Sequence, residues 1–419
     1  MFKFIHAADI HLDSPLHGLE RYEGAPVAAI RNATREALQN LVQLALDEEA
    51  AFLLISGDLY DGDWKDYNTG LFFIKQMSRL READVKVFIT AGNHDAASQI
   101  TRSLRPPENV HLFSARKPET KLLENPPAAI HGRSFPVRAV VEDLSAAYPP
   151  AVPGRFNIGM LHTCFDGREG YEPYAPCSLA GLLDKRYDYW ALGHVHGHEV
   201  LHENPWIVFP GNIQGRNIRE TGPKGCLVAT VDESGSARVE RRALDVLRWS
   251  LVEIDVSGVA NPEEIIERTA LAIRREASGC DGRMLAVRVH VHGTCPAHAD
   301  LSANPERWVN DIRACALDCG NVWVEKVRFR TASPLKLDEM SRRRDAVGDL
   351  LRFTSEIGAD FGLLASLADD LAPLRSRLPS ELLQGVEALD LQSPDRLRGL
   401  VEEARQLLVS RLLGKEERS

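Results

Sequence analysis

The sequence predicts an α/β fold with parallel strands, and three observations predict it. Apolar runs and amphipathic stretches alternate from Phe2 to Thr90 in the order β-α-β-α-β, as a parallel sheet with crossover helices requires. Five strand-like runs stop abruptly at acid, amide or imidazole side chains, and the carboxyl ends of strands are where open α/β sheets bind ligands. Further strand-like segments continue to Leu244, enough for two packed sheets with helices outside.

The first strand covers Phe2–Ala8 and leads into Asp9 and His11. The stretch from Leu12 to Pro26 carries the turn formers Pro15, Gly18 and Gly24 and reads as a loop. A helix comes next, with Ile30, Leu38, Leu41 and Leu44 on one face and Arg31, Arg35 and Glu36 largely off it. The run Leu53–Ile55 ends in Ser56, Gly57, Asp58 and, three residues on, Asp61; a buried parallel strand reads this way. A second helix spans about Tyr67–Glu82, with Leu71, Ile74, Met77 and Leu80 at helical spacing. The strand Val85–Thr90 leads to Gly92, Asn93, His94 and Asp95. The stretch 101–127 is irregular and proline-bearing, with short strands near Val110 and Leu122. Phe156–Leu161 ends in His162, and Tyr189–Leu192 leads into Gly193, His194 and His196. Glu199–Pro210, Cys226–Asp232 and Ala237–Leu244 complete the strand-like segments of this region.

Near Trp249 the character changes. Leu251–Val256 is strand-like, and Pro262–Glu276 is a helix with Asn261 as its N-cap and Pro262 in its first turn. Met284–Val291 alternates, with Leu285, Val287, Val289 and Val291 on one face and Arg288, His290 and His292 on the other. A helix over Pro305–Leu317 and a strand over Val322–Phe329 complete a small α+β domain. From Leu335 the pattern is helical, over Lys336–Ile357, Gly362–Leu371, Glu381–Leu389 and Pro394–Leu413, punctuated by Pro373, Pro379 and Pro394. The domains expected are therefore 1–247, 248–333 and a helical C-terminal region, 334–419.

A chain of 419 residues is too long for one ordinary core. No apolar run is long enough to span a bilayer, and the N-terminus enters a strand at once without a signal-peptide pattern, so the cytoplasm is the expected location. The seven cysteines are scattered, odd in number and without a CxxC pair, and read as reduced thiols. A net charge of −10 counts against a nucleic-acid-binding surface built from this chain alone. A bound metal pair would add local positive charge, and a partner could supply the rest of such a surface.

The strand ends place, in order, Asp9 and His11; Asp58 and Asp61; Asn93, His94 and Asp95; His162; and His194 and His196. Singly, each is a strand-end turn residue or a core histidine; together they form a set of candidate metal ligands. This order resembles the calcineurin-like metallophosphoesterase superfamily, and within it the DNA repair exonuclease branch that includes the nuclease subunit of the bacterial SbcCD complex. The opening His6, Asp9, His11, Asp13 and Pro15 is most similar to YhaO-type members. The resemblance covers about residues 1–245. It implies a four-layer α/β/β/α core with a small α+β capping domain and a helical C-terminal tail.

The resemblance also implies roles. Asp9, His11 and His196 match the ligands of one metal, Asn93, His162 and His194 those of a second, and Asp58 the bridge between them. His94 matches the histidine that contacts the scissile phosphate or protonates the leaving oxygen. Two divalent ions would be the cofactors, and manganese is the metal the resemblance implies. DNA and an ABC-type coiled-coil ATPase are the implied partners, the helical tail being where the ATPase could dock, with a homodimer formed through helices of the first domain. Carboxylate, imidazole and amide ligands themselves suit manganese, iron or zinc. Among the other polar residues, Asp61 is a candidate to orient a ligand histidine, and Asn212 one to orient a ligand or a substrate phosphate. Asp13 is expected to position the first loop, Asp95 to be structural, and His198 to lie outside the ligand set. His290 and His292 are expected on a solvated strand face and Arg342–Arg344 on an exposed helix face.

Three functions remain open at this point. The first is a metal-dependent DNA nuclease, an exonuclease in repair. The second is a phosphodiesterase or phosphatase acting on a small nucleotide, a lipid or a phosphoprotein, which the acidic balance favours. The third is a scaffold that organises an ATPase partner.

Overall fold

The computed structural model describes residues 1–14, 25–61, 67–97, 105–167, 174–334, 337–375 and 390–416. Pro15, Gly18, Gly24, Pro379 and the predicted helix 381–389 lie outside the described residues. The chain divides into two compact units. The first comprises Met1–Leu251, Arg275–Arg288 and Gly320–Glu325; the second comprises Val252–Arg274, Val289–Cys319 and Lys326–Ser419.

In the first unit, β1 (Phe2–Ala7), β2 (Phe52–Ser56), β3 (Lys86–Thr90) and β4 (Val110–Leu112) run parallel in that order. The helices α1 (Val27–Asp47) and α2 (Tyr67–Glu82) are the crossovers. A second sheet begins with β5 (Glu119–Leu123) and β6 (Ala128–Gly132) and continues with β7 (Phe156–His162) and β8 (Tyr189–Gly193). It is completed by β9 (Glu199–Glu203) and β10 (Trp206–Phe209), in the order β5-β6-β7-β8-β10-β9. Its four inner strands β6, β7, β8 and β10 are parallel. The first sheet closes with β11 (Gly225–Val231), antiparallel to β1, and then β12 (Ala237–Ala243).

Strand alternation sorts the apolar side chains into layers. Phe4, Phe52, Leu54 and Phe88 of the first sheet meet Ile130, Ile158, Met160, Tyr189 and Val208 of the second. Ile5, Leu53, Ile55, Val87 and Ile89 point the other way, against Leu38, Leu41 and Val42 of α1 and Phe73, Met77 and Leu80 of α2. The far face of the second sheet, with Leu161, Trp190, Leu192 and Ile207, is covered by Leu144, Tyr148 and Leu182, the last on the short α4 (Leu179–Asp184). The expected α/β/β/α layering is thus present, with a thin outer layer on one side. His6 joins the two sheets: its ring lies 3.0 Å from both the Tyr189 hydroxyl and the Leu192 carbonyl. Nε2–H therefore donates to Leu192, and Nδ1 accepts from Tyr189. Asp13 ties the two helices together, accepting from Arg35 of α1 and Thr69 of α2.

Three further strands, β13 (Leu247–Asp255), β14 (Met284–Thr294) and β15 (Val322–Ala332), form a separate sheet in that order, and the boundary between the two units falls within them. Trp249, Leu247, Ala286 and Trp323 pack with Ile30 and Ala33 of α1 inside the first unit. The second unit holds most of α5 (Pro262–Ser278), together with α6 (His298–Ala303) and α7 (Pro305–Leu317). Asn261 caps α5, accepting from Glu263 N–H at 3.0 Å.

The helical tail departs from the sequence reading. The expected helix 336–357 is broken into α8 (Leu337–Met340) and α9 (Ala346–Ala359). The Asp345 carboxylate accepts from Gly348 N–H at 2.9 Å and starts a new helix. Arg342–Arg344 consequently lie exposed in a turn and not on a helix face. Asp360 caps the next helix, α10 (Phe361–Asp370), in the same way. The short α11 (Ala372–Arg375) follows, and the last helix is α12 (Pro394–Glu416). Leu351 and Val409 form the small core of this tail.

Candidate metal centre

The strands β1, β2, β3, β7 and β8 all end at one place, and the side chains beyond them converge there. Three groups of carboxylate and imidazole atoms each lie within 4.8 Å of one another: Asp9, His11 and His196; Asp58, His162 and His194; and His11, Asp58 and His94. Asn93, the first residue of α3 (Asn93–Ala97), joins the second group, its Oδ1 lying 3.0 Å from His162 Nε2. All eight residues singled out from the sequence, His94 included, are therefore brought together. Except for the half-buried His94 and His196, they are buried.

The backbone is bent to achieve this. Asp9, His11, Asp58 and His194 have φ of 51°, 45°, 51° and 103°, in the left-handed region that L-residues seldom enter. Backbone bonds hold the turns, with Asp9 N–H donating to Gly57 O at 3.1 Å and His11 N–H to Asp58 O at 2.9 Å. The glycines beside them leave space for the ligands. A Cβ on Gly57 would lie 2.1 Å from the His162 ring, and one on Gly92 would lie 2.3 Å from Asp58 Oδ1.

The donor set fits divalent cations. His162 Nδ1 donates to the Ser56 carbonyl at 3.0 Å, and its Nε2 faces Asn93 Oδ1 at 3.0 Å and Asp58 Oδ2 at 3.4 Å. A bound cation would take the place of the Nε2 proton among these three atoms. On the other side, His196 Nδ1 donates to Glu220 at 2.8 Å, and its Nε2 faces His11 Nε2 at 3.2 Å. Electrostatics agree. Burial opposes the charged form of His162, yet Asp58 and Asp9 outweigh it and raise the imidazole's pKa. Burial also opposes ionisation of Asp58, but the neighbouring histidines hold its carboxyl far below the usual range. The pocket attracts positive charge.

The calcineurin-like phosphoesterase profile matches residues 2–198, a span containing all of these residues, and a profile described as the middle domain of metallophosphoesterase YhaO matches residues 249–332. Metallophosphoesterase YhaO of Bacillus subtilis is 37% identical over 300 residues, 70% of this chain and 72% of that one. The chain belongs to the calcineurin-like metallophosphoesterases. A DNA double-strand break repair protein Mre11 of Methanopyrus kandleri is 26% identical over 348 residues, 74% of this chain and 70% of that one. A dimetal phosphatase of Danio rerio superposes with a TM-score of 0.34 at 10% identity, over 57% of this chain and 98% of that one.

Beside the metal ligand candidates of this metallophosphoesterase, His94 is bound by Asp61, with Nδ1 2.6 Å from the carboxylate. Burial lowers the His94 pKa, but the Asp61 hydrogen bond and the charges of Asp58 and Asp61 together outweigh it, and the net shift is upward. Asp61 thus orients the candidate acid histidine; its distance to His11 Nδ1 is 3.9 Å. Asp95 is structural: its carboxylate accepts from the backbone N–H groups of Leu59, Tyr60 and Gly92. Burial and the charge on Asp58 push it up to about 7 against those three donors. Asn212 is no member of the cluster, and its amide donates to Glu220 Oε2 at 3.0 Å. His198 is held by the Phe209 carbonyl at 2.9 Å. His290 and His292 stand half-buried on β14, opposite the buried Val287, Val289 and Val291.

Two residues escaped the sequence reading. Glu220 fixes the tautomer of His196, and Arg216 donates to Glu220 at 3.0 Å. Both lie in an irregular loop with no periodic pattern, so only the fold reveals them. No helix among the described residues is long and apolar enough to cross a membrane.

Proposed function

We propose that this metallophosphoesterase is a metal-dependent DNA nuclease that hydrolyses phosphodiester bonds, with an exonuclease role in repair. The observation that carries the proposal is the convergence of seven candidate ligands with a histidine–carboxylate pair at their less buried edge. The relative named as a DNA double-strand break repair protein Mre11 supports the choice of DNA. Asp9, His11 and His196 would hold one ion, Asn93, His162 and His194 the other, with Asp58 between them. Two divalent ions, manganese in this reading, would neutralise the phosphoryl oxygens and lower the pKa of a water positioned for in-line attack.

The chain's own groups do the rest. Asp61 holds His94 by Nδ1, so Nε2 is left to meet the substrate. Asp61 also favours the protonated ring, which lets His94 give a proton to the departing oxygen. Gly57 and Gly92 let the backbone pass close to His162 and Asp58, where a Cβ would collide with them.

The division of labour follows the segments 1–247 for chemistry, 248–333 for capping the substrate and 334–419 for a partner, proposed as an ABC-type coiled-coil ATPase in the cytoplasm. Phe353, Leu363 and Leu408 are exposed on the tail helices, which favours helix-in-groove docking there. A homodimer through helices of the first segment belongs to the same reading. The net charge of −10 favours a second one, in which the substrate is a small phosphodiester or phosphomonoester.

The test compares wild type and His94→Ala on labelled single- and double-stranded DNA with Mn²⁺, alone and with the partner ATPase. Cleavage lost in the variant while metal still binds supports the nuclease. A metal-loaded wild type that spares DNA in both settings but hydrolyses a chromogenic diester supports the small-substrate reading. Retention of the cellular role by an inactive Asp58→Asn variant would favour a scaffold.

A further inference from the structure

Two histidines of the site are each held by a carboxylate: His94 by Asp61 and His196 by Glu220. Their carboxylates come from distant stretches of chain, yet one side chain reaches both. Arg216 Nη1 lies 3.6 Å from Asp61 Oδ2, and Nη2 lies 3.0 Å from Glu220 Oε1. The Arg216 backbone N–H also donates to Glu220 Oε2 at 2.7 Å, fixing the base of its side chain on the same carboxylate. Only 16% of the side chain is exposed, so these carboxylates, and not solvent, are its main charged surroundings.

We propose that Arg216 is a positioning residue that locks the His94–Asp61 pair and the His196–Glu220 pair into one rigid frame. This rests on the roles proposed above for His94 and His196. Each carboxylate has a hydrogen-bond donor of its own, Ser14 Oγ at 2.5 Å for Asp61 and Asn212 Nδ2 at 3.0 Å for Glu220, whereas Arg216 meets Asp61 as an ion pair. Those donors fix each carboxylate separately; Arg216 fixes them relative to each other. A guanidinium suits the task because its planar fork offers donors in two directions at once. A lysine ammonium cannot span both carboxylates from the same backbone position. The guanidinium also offsets one of two negative charges beside a site that must admit an anionic phosphodiester. Arg216 would act on the chemistry through His94 and on metal retention through His196, without touching substrate.

The test uses the full chain with Mn²⁺ and bis(p-nitrophenyl) phosphate, which separates the result from any question about DNA. Arg216→Ala and Arg216→Lys are compared with wild type for Mn²⁺ affinity by calorimetry, and for kcat and KM. The expected result is a fall of about 10–100-fold in kcat in both variants, as for other residues that hold ligands and catalytic groups in place. Mn²⁺ affinity should weaken and KM should stay within a few-fold. In an Asp61→Asn background, Arg216→Ala should lower kcat by less than about threefold more, since the link is already cut. In a Glu220→Gln background it should weaken Mn²⁺ binding little further.

A rise in KM at unchanged kcat would make Arg216 a substrate contact and overturn the proposal. So would full multiplicativity with both background changes, or wild-type behaviour of Arg216→Lys. If Arg216→Ala fails to fold, Arg216→Lys alone decides. A wild type that binds no Mn²⁺ overturns the site assignment and this proposal with it. A wild type that binds Mn²⁺ but spares the diester leaves the decision to the calorimetric arm, where unchanged affinity in both variants overturns the proposal.

Discussion

Gly92 stands where Asp58 and His162 crowd closest to the backbone. Its φ is not in the left-handed region, so an added methyl group meets only the steric obstacle of Asp58 Oδ1 at 2.3 Å and the His162 ring at 2.8 Å. Gly92→Ala should therefore weaken Mn²⁺ binding by at least about tenfold with the overall fold retained, as calorimetry and circular dichroism would show. His6 makes a different prediction. Burial lowers its pKa to about 3, against the Leu192 hydrogen bond that raises it. The unfolded chain takes up a proton near pH 6.5 and the folded one does not, so stability present above pH 6.5 is lost as the pH falls toward 3. The His6 share of the slope is about 1.4 kcal/mol per pH unit. His6→Gln should remove that share, read from urea midpoints across the same range. At this scale the convergence of the candidate ligands was legible because each sits at the end of an apolar run. Glu220 and Arg216 were not, because their partners are set by loop packing that leaves no periodic trace.

Elements were legible where pattern and length agreed. The helices Tyr67–Glu82 and Pro305–Leu317 have the limits that their apolar spacing predicts. The strand Ala128–Gly132 was missed, because a five-residue run of two alanines, a glycine, a histidine and a single β-branched residue carries little β signal. The stretch Glu199–Pro210 reads as one strand but is the hairpin β9–β10, turned at Asn204 and Pro205. The tail helix was read too long because the Asp345 cap lies inside an otherwise continuous helical pattern. The interface between the two sheets is the element-scale feature with the plainest energetic consequence. Phe4 is fully buried there and stacks on Phe52 with ring centroids 5.1 Å apart. Phe4→Ala should cost about 3–5 kcal/mol of unfolding free energy, seen as a lower urea midpoint with an unchanged slope.

For the molecule as a whole, metal binding at this centre would be linked to folding, since the candidate ligands follow five strands of two sheets and cannot be brought together in the unfolded chain. Mn²⁺ at about a hundred times its Kd should add about 2.7 kcal/mol per site, and chelator should remove it. The cost of a variant should depend on the metal. Without it, Asp58→Asn removes the carboxylate that the neighbouring histidines hold ionised, while its amide oxygen can still accept from His94 N–H, as Asp58 Oδ1 does at 3.0 Å. The variant should melt below wild type in chelator and further below it in saturating Mn²⁺, as a thermal scan in both conditions would show. The two-sheet architecture was legible from the order of strands and helices, since sequence periodicity reports which faces are buried.

Four of the candidate ligands sit on left-handed backbone, a conformation that costs on the order of 1 kcal/mol or more per residue outside glycine. Glycine at any one of these positions would relieve that strain while abandoning the ligand, so the metal-free chain gains backbone freedom by such a change. A lineage released from the need for hydrolysis would drift toward hardier, inert descendants with the same two sheets.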